Sequence, residues 1–131
     1  MNTFKKIESI RKKRGSLAVA LIDPDKEFDG NLDEMVNLVN ECDFDIIFVG
    51  GSIIADDRFS NRLERIKKNS SLPLIIFPGS SAQISEHADA ILYLSLISGR
   101  NPQYLIDEHV HSAPLIHSLS IETIPTAYIL L

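Results

Sequence analysis

The stretch LAVALIDPDK (residues 17–26) runs six apolar residues straight into Asp-Pro-Asp-Lys. An apolar run of this length, without polar alternation, reads as a strand buried on both faces. Such strands belong to parallel sheets covered by helices. Its polar end matters as much as its apolar body, because parallel α/β folds keep their chemistry at the carboxyl ends of strands.

Four more runs of the same kind follow: DIIFVG (45–50), PLIIF (73–77), AILYL (90–94) and TAYILL (126–131). Helical spacing separates them. Phe4, Ile7 and Ile10 precede the first run. Leu32, Met35, Val36 and Val39 share one helix face, and Phe59, Leu63 and Ile66 share another. Asn101-Pro102 is an N-cap and first-turn pair for a helix through QYLIDEHV, which Pro114 is expected to end. The connection PGSSAQISEHAD has room for a short helix only. The expected order is βαβαβαβαβ behind a leading helix.

Right-handed crossovers then build a parallel sheet, which is either an open doubly wound sheet or part of a barrel. A (β/α)8 barrel typically needs about 250 residues. The 131 residues would supply its N-terminal half, about strands 1–5, as one domain over 1–131. TAYILL closes the chain in mid-strand with no polar tail, so a fragment truncated at its C-terminus is expected.

Composition narrows the class. With 44% hydrophobic and 24% charged residues the chain is an ordinary globular protein, not a disordered one. No apolar run approaches the roughly 20 residues of a membrane span. The first 15 residues lack an apolar core, so no secretory signal is expected. Cys42 is the only cysteine, so no intrachain disulfide can form and a reducing cytoplasm is the expected location. Lys5, Lys6, Arg11, Lys12, Lys13 and Arg14 face only Glu8 in the first 14 residues, whereas the rest is acidic. A nucleic-acid binder usually concentrates positive charge over a whole face, so no nucleic-acid partner is expected. The basic segment is a solvated helix face that could touch anionic headgroups.

The residues after each run are small, polar or charged: Asp23-Pro24-Asp25-Lys26, Gly50-Gly51-Ser52, Pro78-Gly79-Ser80-Ser81, and Ser95 through Arg100. Glycines Gly50, Gly51 and Gly79 let backbone approach a ligand, and nearby hydroxyls and N–H groups can hold phosphate oxygens. A carboxylate at Asp23 with a hydroxyl from the next tip is a typical oxygen set for Mg²⁺, which completes its shell with water and substrate phosphate. Each element has a plainer reading: Asp25 as a turn or cap residue, Lys26 as a solvated charge, Ser52 as an N-cap. The conjunction on one rim is what points to Mg²⁺ plus a phosphorylated ligand. His87, His109, His111 and His117 have no metal-ligand spacing and read as structural or exposed, and Cys42 has no activating neighbour.

The segments ALIDPDK (20–26), FVGGS (48–52), PLIIFPGS (73–80) and ADAILYLSLISGRNPQYLI (88–106), followed by TAYILL, resemble the geranylgeranylglyceryl phosphate synthases and their bacterial relatives, the heptaprenylglyceryl phosphate synthases. The SLISGRNPQYLI segment is most similar to the group II branch. The resemblance covers essentially the whole chain. It implies a TIM barrel and a Mg²⁺-dependent transfer of a polyprenyl group from its diphosphate to sn-glycerol 1-phosphate, in membrane lipid biosynthesis. It implies Asp23 and Ser52 as metal ligands, with Asp23 the catalytic residue. Gly50, Gly51, Gly79, Ser80 and Arg100 are expected at the substrates. Ile53, Ile54, Leu96 and Ile97 are candidates for an apolar groove. It also implies a homo-oligomer at full length. The family's acceptor-binding glycine loops and Tyr-x-Glu segment have no counterpart in these residues, so this chain alone is expected to be inactive. Other readings are an isomerase or aldolase on the same scaffold, or a non-enzymatic receiver-like domain.

Overall fold

A computed structural model describes residues 2–24, 29–51 and 57–130. Helix α1 (Thr3–Arg14) precedes strand β1 (Val19–Ile22), and α2 (Leu32–Glu41), β2 (Ile46–Val49), α3 (Phe59–Asn69) and β3 (Leu74–Ile76) follow. Then come β4 (Ala90–Leu96), a short 3₁₀ turn (Pro102–Tyr104), α4 (Asp107–Leu119) and β5 (Glu122–Tyr128). The five strands form one sheet in the order β1-β2-β3-β4-β5, and every neighbouring pair is parallel. This is the N-terminal half of a (β/α)8 barrel. No helix among the described residues is long and apolar enough to cross a membrane.

Because side chains alternate along a strand, the sheet has two cores. Ala20, Ile22, Ile47, Val49, Leu74, Ile76 and Ile91 face α2, α3 and α4, where Val36, Leu63, Ile66 and Ile116 are buried against them. Ile46, Ile75, Ala90, Leu92 and Ile124 face the other side, with Phe48, Phe77, and Ile7 of α1 packed on them. On that second face the expected two-sided burial fails at β1, where Leu21 is 60% exposed. No described element lies over it.

Four further expectations are corrected. The β3–β4 connection (77–89) contains turns and no helix. Asn101 caps the 3₁₀ turn, its Oδ1 accepting from Gln103 N at 3.1 Å, and α4 starts separately at Asp107. Pro114 lies inside α4, because the residue is exposed and the carbonyl its missing N–H leaves unbonded can be solvated. Strand β5 begins at Glu122, not Thr126, and tolerates Pro125 because it pairs on one edge only among the described residues.

Acidic residues organise the N-terminal edge of the sheet. Asp45, just before β2, accepts from Ala18 N at 2.8 Å and pairs with Arg14 at 3.0 Å. Asp89, just before β4, accepts from Leu74 N at 2.8 Å. Glu122 accepts from Thr3 N at 2.6 Å and Phe4 N at 3.0 Å, so it caps α1 across the fold. Unbonded first-turn N–H groups and the helix dipole both favour a carboxylate there. Glu122→Ala is expected to destabilise the fold by about 1 kcal/mol, as cap deletions do, with a matching loss of α1 protection in hydrogen exchange.

Candidate active site

The opposite edge is different. Asp23 stands exposed at the end of β1 and, among the described residues, makes no hydrogen bond or ion pair. Gly50 and Gly51 follow β2, and Gly79 follows β3. Gly50 N donates to Ile22 O at 3.2 Å, which stitches the β2 tip to β1. These tips touch backbone to backbone. A methyl group at Gly50 would lie 1.8 Å from Phe77 O, and one at Gly79 would lie 2.3 Å from Gly51 O. A methyl group at Gly51 would instead lie 2.3 Å from the Asp23 carboxylate. Glycine is thus required at Gly50 and Gly79 by close approach of backbone to backbone, whereas at Gly51 it leaves room for the Asp23 carboxylate.

Asp23, Gly50, Gly51, Gly79 and Ser80 all border one cavity of about 540 Å³. It passes from the inner face at Leu21 and Phe77 to the helical layer at Ile84, Tyr93 and Ile116. Its helical-layer side, which Glu108, His109 and Ser112 also line, lies where the β3–β4 connection leaves that layer without a helix. Leu96 borders it too. Arg100 is exposed and does not line it, nor does Ile97. Ser52, Asp25, Lys26, Ile53 and Ile54 lie outside the described residues.

Sequence reasoning missed three contributors. Gln83 is buried between the tips, where its Oε1 accepts from Gly79 N at 3.1 Å and Gly51 N at 3.4 Å while its Nε2 donates to Gly51 O at 2.6 Å. The amides of Gly51 and Gly79 therefore serve Gln83. Tyr128 supplies an aromatic wall, edge-on to Phe77 with centroids 5.7 Å apart. Glu108, in the first turn of α4, accepts from Ser81 N at 2.6 Å and Gln103 Nε2 at 3.1 Å, tying α4 to the β3–β4 loop at the cavity wall. None of these is signalled by spacing, since the decisive contact of each joins residues 27 or more apart in sequence. His109 stacks on Tyr93 with centroids 4.0 Å apart and bonds Leu94 O through Nε2, a structural role as read.

Burial alone would raise the Glu108 pKa, but the hydrogen bonds from Gln103 and Ser81 outweigh it, so the carboxyl titrates below its ordinary value of 4.5. A depressed folded pKa means stability that is fully present above the unfolded value and lost as pH falls through the folded one. The melting temperature is therefore expected to fall below about pH 4.5 in the native protein, and less so in Glu108→Gln, which cannot titrate.

The donor chemistry fits Mg²⁺. Among the described residues no group of three or more His, Cys, Asp or Glu could cage a metal. A single carboxylate with no protein partner among the described residues, open to a cavity, suits an ion that keeps waters and substrate phosphates in its shell.

Five parallel strands in sequential order, with an exposed carboxylate and interlocked glycine tips on their C-terminal rim, match the N-terminal half of a (β/α)8 barrel, a class whose ligand sites lie at that rim. Within the class the chain belongs to the PcrB family, whose model matches residues 8–131. It is 46% identical over 121 residues to the geranylgeranylglyceryl phosphate synthase of Flavobacterium johnsoniae, covering 92% of this chain and 50% of that protein. It is 40% identical over 120 residues to the enzyme of the same name from Aeropyrum pernix, covering 92% of this chain and 47% of that one. The solved (S)-3-O-geranylgeranylglyceryl phosphate synthase of Thermoplasma acidophilum, in complex with its substrate sn-glycerol-1-phosphate, superposes with a TM-score of 0.90 at 32% identity. That match covers 98% of this chain and 52% of the other. The chain spans about half the length of the curated relatives it matches.

Proposed function

We propose that this chain carries the donor end of a prenyltransferase site, one that moves a geranylgeranyl-type polyprenyl group from its diphosphate to sn-glycerol 1-phosphate. The observation that carries the reading is Asp23: an exposed carboxylate, unpaired among the described residues, that borders a cavity lined mainly by apolar side chains with Glu108, His109 and Ser112 among them. A polyprenyl diphosphate has the matching polarity. Its charged head suits the rim, and its tail suits the wall of Ile84, Tyr93 and Ile116.

In the reaction the allylic carbon–oxygen bond to diphosphate breaks, and diphosphate leaves with the electron pair. The glycerol hydroxyl forms the new ether bond and gives up its proton to a base outside these residues. Mg²⁺, when bound, neutralises charge on the leaving diphosphate. Asp23 would hold that ion, with Ser52 as the proposed second ligand. Gly51 lets the Asp23 carboxylate lean in, and the apolar wall excludes water from the tail. An aldolase of the Schiff-base type is disfavoured, since no lysine lines the cavity among the described residues. The same reading makes the protein cytoplasmic and, at full length, a homo-oligomer.

The test is an incubation of full-length protein with radiolabelled geranylgeranyl diphosphate and sn-glycerol 1-phosphate. An organic-extractable phosphate product that vanishes with EDTA is expected. A folded, full-length protein that forms no such product, or forms it equally in EDTA, would contradict the proposal.

A further inference from the structure

Gln83 is the only buried carboxamide among the described residues, 2% exposed although it sits in a polar loop. Burying an amide is unfavourable unless its donors and acceptor are bonded. Its side-chain bonds join the β2 tip at Gly51 to Gly79 at the start of its own connection, just past β3. The orientation follows from the chemistry: the carbonyl oxygen meets two N–H donors and the NH₂ meets a carbonyl.

Gly51 is held from both its N–H and its C=O, and it is also the surface against which the Asp23 carboxylate rests. Contact therefore runs from Gln83 through the Gly51 peptide to Asp23. We infer that Gln83 is a positioning residue: it fixes the Gly51 peptide, which sets where the Asp23 carboxylate stands for a divalent cation. This rests on the reading of Asp23 as the carboxylate that holds the cation.

The probe is Mn²⁺ alone, followed by electron paramagnetic resonance on full-length protein, with melting curves for every variant. Asp23→Asn tests the underlying reading and is expected to remove the bound-ion signal. Gln83→Met keeps the length of the side chain and loses its hydrogen bonds. It is expected to raise the Mn²⁺ Kd about tenfold or more, the scale seen when groups that orient a ligand are removed. The KM for glycerol phosphate should not move. Gln83→Asn keeps the amide but is one methylene too short to span both tips. It should weaken Mn²⁺ similarly, and it decides the matter if Gln83→Met does not fold. A lower melting temperature with a native Mn²⁺ Kd in either folded variant would overturn the inference and leave Asp23 untouched. Native Mn²⁺ affinity in Asp23→Asn would overturn the reading of Asp23 and the inference with it.

Discussion

Asp23→Asn in the full-length protein is expected to lower kcat/KM for prenyl transfer about 1000-fold or more, with the melting temperature unchanged. A metal ion contributes several kcal/mol of charge stabilisation to such a step, and about 4 kcal/mol corresponds to that factor. Stability should hold because the side chain is exposed and makes no hydrogen bond or ion pair among the described residues. The contrast with Asp45, Asp89 and Glu122 is informative. Each of those acids is engaged by a neighbouring backbone N–H at the opposite edge. Removing them should lower stability, whereas removing Asp23 should lower turnover. Steady-state kinetics beside thermal denaturation separates the two cases.

The second large effect comes from adjacent glycines that should fail in different ways. In Gly50→Ala the new methyl meets the Phe77 carbonyl oxygen at 1.8 Å, so backbone must separate. Overpacking of this kind typically costs about 1–3 kcal/mol and can exceed that; a fall of roughly 2–12 °C in melting temperature follows for a barrel-sized domain. In Gly51→Ala the methyl meets the Asp23 carboxylate, the end of a side chain that can swing away. That variant should fold normally and lose activity, because the carboxylate has been displaced. Comparing the two melting curves with the two rates checks the assignment of each glycine.

The parallel sheet was legible because its strands are short unbroken apolar runs. LAVALI, DIIFVG and PLIIF each contain the strand found there, and AILYL forms the first five residues of β4, which runs on to Leu96. The helix faces were legible from spacing: Leu32, Val36 and Val39, and Phe59, Leu63 and Ile66, are all buried. Boundaries were less so. β5 starts at Glu122 because pairing with β4 and the cap on α1 hold that residue in place, and neither is local. Pro114 misled because the rule against helix-interior proline weakens on a solvated face.

At the site, Asp23 and the glycines were visible as polar or small residues ending apolar runs. Gln83 was not, since a glutamine in PGSSAQIS looks like any solvated loop residue until the two tips close around it. The cavity itself follows from a missing helix between β3 and β4, an absence that apolar spacing in so short a connection could not announce.

The central claim is that Asp23 marks where metal and diphosphate meet. The most direct measurement is an anomalous-scattering map from crystals of the full-length protein grown with Mn²⁺ and a non-reactive thiolodiphosphate analogue of the prenyl donor. A manganese peak within coordination distance of the Asp23 carboxylate, roughly 2.2 Å, with the analogue's tail running toward Tyr93 and Ile116, is the predicted result. A peak elsewhere on the barrel, with Asp23 solvated and unbound, would contradict it.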